Sequence, residues 1–190
     1  MALTSTKKRN ILFILLCFLA YTSSYLLKLS YNANIVCFEA EFGITHAEAG
    51  IVTTFFFFSY GSVQILHGIF VKKYPLRFVI PGAILLGCLL NLLTALSPTF
   101  APIKYYWLLD GAILSILWPS CVRALSENIE EGYRNKAIMV MGLCTAVGTI
   151  LVYLLSALFT AIAHYKIIFY VGIGIGLLIA LSWFFFYPLL

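Results

Sequence analysis

Apolar residues run along this 190-residue chain in six long stretches, at about 11–38, 49–71, 78–97, 104–124, 137–162 and 167–187. A helix needs roughly 20 apolar residues to cross a hydrocarbon core of about 30 Å, so each stretch is long enough to span a bilayer. The connections are short. Glu39 to Glu48 is acidic and ends in a capping-box pattern, Thr45 with Glu48. Lys72 to Arg77 is basic, Ser97–Pro98 and Pro102 to Lys104 form the third link, Ser126 to Lys136 the fourth, and His164 to Lys166 the fifth.

Polar positions inside the stretches are few and fall at helical spacing. In the first, Tyr21, Ser24, Tyr25, Lys28, Tyr31 and Asn32 recur every three or four residues and share one helix face. A charge such as Lys28 inside a span is expensive and faces a cavity or a partner. The alternative is that it snorkels to the interface. In the second stretch Tyr60, Gln64, His67 and Gly68 make another polar face. Asp110 stands six residues into the fourth, about 9 Å deep at 1.5 Å per residue. A Lys28–Asp110 ion pair, either open to competition by substrate or purely structural, is the expected way to offset both charges. His67 reads as a hydrogen-bonded packing residue. Gly142, Gly148, Gly172, Gly174 and Gly176 read as points of close helix approach, and Pro119 as a kink in the fourth span.

Composition agrees with the pattern. Hydrophobic residues make up 63% of the chain and charged residues 10%, against roughly a quarter charged in soluble domains, and the mean hydropathy is +1.02. The expected class is an all-α integral membrane protein with no soluble domain. The net charge of +5 is explained by where the cations sit, not by a nucleic-acid partner. With the N-terminus inside, the inner face carries Lys7, Lys8, Arg9, Lys72, Lys73, Arg77, Arg123, Arg134 and Lys136, and the outer face Lys104 and Lys166. This asymmetry predicts cytoplasmic termini, residues 1–10 as a cytoplasmic N-terminus, residues 11–190 as one six-helix domain, and a place in the cytoplasmic (plasma) membrane with lipid as its surroundings. Tyr105, Tyr106 and Trp107 then fall where an outer aromatic belt belongs. Lys7, Lys8 and Arg9 before an apolar run suggest a secretory signal, but the run is too long for a signal core, so it is read as an uncleaved span. The five cysteines lack metal or redox spacing, the three histidines lie in different elements, and no nucleophile triad or phosphate loop is present. The reading is of a protein that is not an enzyme, with no cofactor or metal.

The residues also resemble a known family. Tyr60-Gly61-x-x-Gln64-x-x-x-Gly68 followed by Lys72-Lys73-x-x-x-Arg77 resembles the span-two and loop motif of the major facilitator superfamily. Trp118-Pro119-x-Cys121-x-Arg123, with Gly111 seven residues before Trp118, is similar to the organophosphate:phosphate antiporter and sugar-phosphate permease branch. So are Arg134 eleven residues before Thr145, Tyr25-x-x-Lys28, and Phe42-Gly43-Ile44-x-x-Ala47-Glu48-x-Gly50. The likeness covers nearly the whole chain but only the N-terminal half of the family. It implies two three-helix inverted repeats, a substrate held between two halves near the midplane, and a second six-helix half from a longer chain or a second copy. The chain's stop at Leu190, at the end of a span, fits a fragment or a half-size protein.

By this resemblance the function is secondary-active transport of a small organic anion (a sugar phosphate, other organophosphate or related solute) by alternating access. Lys28, Tyr25, Asn32, Tyr60, Gln64, Asp110, Trp118 and Thr145 would line the substrate site, and Gly68, Lys72, Arg77, Arg123 and Arg134 would shape the cytoplasmic gate. There are departures. Lys72 replaces the family's loop aspartate, Lys28 an arginine with a bidentate fork, Gln64 a lysine and Thr145 a histidine. These favour the alternative of a transport-deficient membrane sensor or partner-binding subunit that keeps the fold.

Overall fold

The computed structural model describes residues 6–162 and 164–189. Among them there is no strand, and eight α-helices account for the six apolar stretches. The first stretch is divided. Helix α1 (Thr6–Leu29) ends at Leu29, a single 3-10 turn covers Asn32–Asn34, and a short α2 (Ile35–Phe42) follows. Gly43 closes α2 with φ of 63°, its N–H returning to the Glu39 carbonyl, a left-handed cap that suits glycine. Helix α3 (His46–Phe70) then starts on the capping box expected from sequence: the Glu48 N–H donates to Thr45 Oγ1 and the Thr45 N–H to Glu48 Oε2.

Helix α4 (Leu76–Ala95) returns across the bundle. The fourth span is broken into α5 (Ile103–Leu114) and α6 (Leu117–Asn128). Pro119 explains the break: its ring collides with the carbonyl four residues back and offers it no N–H, and that residue is Ser115, where the helix parts. Helices α7 (Glu131–Ile162) and α8 (Ile167–Phe186) complete the bundle.

The helices pack as two related units of three spans. The extensive contacts are α3 with α5, α1 with α7, α4 with α8, α1 with α8, and α4 with α5. Exchanging spans one to three with spans four to six maps this set onto itself. Because each unit holds an odd number of spans, the second runs in the opposite sense, the arrangement of an inverted repeat. Small residues set the crossings. A Cβ on Gly111 of α5 would overlap the Phe56 carbonyl and Ser59 hydroxyl of α3, and one on Gly148 of α7 would lie 2.7 Å from Tyr25 of α1. Gly172 of α8 faces the Leu26 backbone of α1, Gly87 of α4 faces Leu114 of α5, and Gly176 of α8 faces Cys88 of α4. Gly142 and Gly174 meet nothing within 4 Å, so the expectation of close approach at those two is corrected. Trp107 is likewise not a belt residue: it is buried, with its ring against Tyr31 and Phe56, while Tyr105 beside it is exposed.

Candidate functional site

Lys28 lies in the last turn of α1 and is 4% exposed. Its ammonium sits over three tyrosine rings, 4.4 Å from the centroid of Tyr21, 5.0 Å from Tyr25 and 5.1 Å from Tyr60. Such contacts stabilise a desolvated cation by about 2 kcal/mol each at best. One hydrogen bond, long at 3.5 Å, runs from Nζ to the Tyr60 hydroxyl. An ammonium has three donors, so hydrogen-bonding capacity is left over among the described residues. Around it, Tyr25 donates to Thr145 Oγ1 of α7 at 2.9 Å, and Trp118 of α6 packs against Tyr21 with centroids 5.0 Å apart. Four spans thus meet at one lysine, and the structure brings together Tyr25, Lys28, Tyr60, Trp118 and Thr145. Tyr21 joins them as the ring nearest the charge. The helical stripe on α1 already contained it, seven residues before Lys28.

The expected Lys28–Asp110 pair is corrected. The three ion pairs among the described residues are Glu39–His46, Arg123–Glu127 and Glu41–Lys166. Consecutive residues on a helix point about 100° apart. Leu27, not Lys28, faces the α4–α5 side, where both its side chain and Asp110 Oδ1 crowd the space beside Gly87. Asp110 is 1% exposed and neither carboxyl oxygen has a hydrogen-bond partner among the described residues. Asn32 also stands apart, accepting from Thr53 Oγ1 at 2.5 Å. Gln64 is half-buried one turn beyond Tyr60.

The residues expected at the gate divide in the same way. Arg123, near the end of α6, reaches across to the 71–74 turn: Nη1 donates to the Val71 and Tyr74 carbonyls at 2.5 and 2.8 Å, and Nε to Glu127 at 2.6 Å. Lys72 lies in that turn and Gly68 precedes it, and both are exposed. Arg77 turns toward α8, its guanidinium 4.9 Å from the Phe184 ring. Arg134 lies on α7, with Nε buried and unpartnered among the described residues. His67 is a packing residue: Nε2 donates to the Ala112 carbonyl at 3.3 Å, which leaves Nδ1 to accept from the Tyr74 hydroxyl at 3.0 Å.

Two polar groupings were not singled out from sequence. Asn91 of α4 accepts from Ser30, and Asn34 donates to the Ser30 carbonyl and to Ser156 of α7 while accepting from Thr160. Amide side chains inside apolar stretches were the available signal. Near the other end of the bundle from Arg123, Glu41 accepts from both the Tyr165 hydroxyl and Lys166 Nζ, the latter at 2.6 Å. Burial alone would raise the Glu41 carboxyl, but the hydrogen bonds from Lys166 and Tyr165 outweigh it and hold it below the ordinary carboxylate value.

Six apolar spans, with a buried lysine set over tyrosine rings at the meeting of four of them, are the architecture of an integral membrane protein with a polar site in its interior. Residues 13–189 match the model of the Major Facilitator Superfamily, and the chain belongs to that family, one of membrane transporters and not of enzymes. It is similar to a "Probable hexose phosphate transport protein" of Chlamydia pneumoniae, 22% identical over 85% of this chain and 36% of the relative. Proteins of the same description from Chlamydia trachomatis and Chlamydia muridarum are each 25% identical over 62% of this chain and 26% of the relative. The chain therefore matches only 26–36% of the length of these curated relatives.

Proposed function

We propose that this chain is one six-helix half of a secondary-active transporter that moves a small organic anion by alternating access. The observation that carries the reading is Lys28: a buried ammonium held over tyrosine rings, with no carboxylate within ion-pair distance among the described residues. A charge kept at such expense in an apolar bundle is a functional-site residue by default. Tyr25, Tyr60, Trp118 and Thr145 wall the site around it and Gln64 extends the α3 wall, whereas Asn32 and Asp110 stay outside this cluster. The relatives' descriptions point to a sugar phosphate as the anion to try first. The asymmetry of lysine and arginine supports cytoplasmic termini and the plasma membrane. The gate residues Gly68, Lys72, Arg77, Arg123 and Arg134 then stand on the cytoplasmic side. The second half, supplied by a longer chain or another copy, closes the site.

The test is Lys28→Met in the full-length protein, with Lys28→Arg beside it. A hydrogen bond to a charged group contributes about 1.5–3 kcal/mol, so hexose phosphate binding should weaken roughly 10- to 150-fold in Lys28→Met and be largely kept in Lys28→Arg. Unchanged binding and uptake in Lys28→Met would sink the assignment. A sensor or partner-binding role is favoured by Arg123, whose bonds at the turn go to backbone carbonyls where Lys72 replaces the family's aspartate. Ligand binding without flux in reconstituted full-length protein would decide for it.

A further inference from the structure

A second recess lies away from the tyrosine cluster. Helices α3, α4 and α5 border a shallow, open groove of about 460 Å³. Its walls are apolar, formed by residues such as Val63, Val79, Leu86 and Ile116. Among the described residues the one polar side chain on them is His67, and both of its ring nitrogens are already engaged, with Tyr74 and the Ala112 carbonyl. The groove therefore offers a polar solute nothing to bond and suits a hydrocarbon chain. Gly82 opens it further, since a Cβ there would meet nothing within 4 Å.

One end of this groove is basic. His67 lies one turn before the end of α3 and Val79 one turn into α4, and the turn joining these helices carries Lys72 and Lys73, both exposed. No carboxylate among the described residues lies within ion-pair distance of either lysine. An apolar slot beside two uncompensated surface cations is complementary to a molecule with an acyl chain and a negative head. We infer that this groove binds a phospholipid with an anionic headgroup, its chain along α4 between Val79 and Leu86 and its phosphate against Lys72 and Lys73. The groove lies apart from the tyrosine cluster and shares only Lys72 with the residues expected at the gate.

The experiment uses the full-length protein in nanodiscs doped with one of two photoreactive lipids, phosphatidylglycerol or phosphatidylcholine, each with a diazirine on the acyl chain, followed by peptide mapping. Phosphatidylglycerol should label the Val79–Leu86 segment preferentially. A basic residue near the surface attracts an anionic lipid by about 1 kcal/mol, so two make roughly a 10- to 30-fold preference. Lys72→Gln with Lys73→Gln should remove the preference, and Gly82→Leu should lower labelling by either lipid by filling the slot. The double glutamine variant changes only exposed side chains, so it tests the head contact even if Gly82→Leu fails to fold. Equal labelling by the two lipids, labelling spread evenly along α7, or no labelling because protein covers the groove would each overturn the inference.

Discussion

Adding one methyl group at Gly148 should disturb the tyrosine cluster from behind. An alanine Cβ there would sit 2.7 Å from both Cβ and Cγ of Tyr25 and 2.9 Å from its Cδ2. Cβ is fixed by the backbone, so no side-chain rotation relieves that contact. Helices α1 and α7 must separate by about 0.8 Å to restore a carbon–carbon distance near 3.5 Å. The Tyr25–Thr145 hydrogen bond, 2.9 Å long, crosses this interface and would stretch past bonding range. Overpacking of this kind costs about 1–3 kcal/mol, and the lost bond adds about 0.5–1.5 kcal/mol. Thermal unfolding in detergent, read together with anion binding, measures both effects. Gly142→Ala and Gly174→Ala are the internal controls. Their added methyls meet nothing within 4 Å, so they should be neutral or slightly stabilising through helix propensity, by up to about 1 kcal/mol. If Gly148→Ala behaves like these two, the α1–α7 crossing is not as described.

Three further outcomes are expected. Arg123→Lys keeps the charge but not the fork, so it cannot hold the Val71 and Tyr74 carbonyls and Glu127 together; a loss of about 1–2 kcal/mol and faster amide exchange in residues 71–75 should follow, and unchanged exchange would count against the clamp. Glu41 has a lowered carboxyl value in the folded protein, so its contribution to stability is present above the ordinary glutamate range near ~4.3 and is lost as pH falls through the lower folded value. Glu41→Gln should flatten that acid limb of the melting-temperature profile, by a small amount because the group is partly solvated; an unchanged limb would assign it to another carboxylate. Tyr165→Phe should flatten the same limb in part, since it removes one of the two donors to Glu41, and a full acid limb in this variant would leave Lys166 as the sole cause.

The spans were legible because hydrophobic length is a one-dimensional property, and so was the break near Pro119, which follows from a missing donor. The tyrosine cluster was half legible. Spacing put Tyr21, Tyr25 and Lys28 on one face, while Trp118 and Thr145 entered only through the family's motifs. What the pattern could not supply was azimuth. Two charges inside spans suggested a Lys28–Asp110 pair, but which face each turns is fixed by packing, and Leu27 holds the side toward Asp110. The same ignorance made Trp107 look like a belt residue and made Gly142 look like Gly148. An aromatic or a glycine in a span reads alike whether it faces lipid or another helix.

Asp110 also bears on how the chain enters the membrane. A carboxylate at the centre of an isolated helix adds about 2.5–3.5 kcal/mol on biological insertion scales. Its span is also interrupted at Ser115–Ile116 and carries Arg123 near its end. Helix α5 packs on both α3 and α4, which are made just before it during synthesis and have little contact with each other. We predict an order of biogenesis from this: the fourth span is held in the bilayer by docking onto α3 and α4, already inserted, and does not cross as an independent segment. A glycosylation tag placed after Asn128 should report failed crossing when α3 and α4 are deleted, and full crossing in that truncation would show that the span needs no escort.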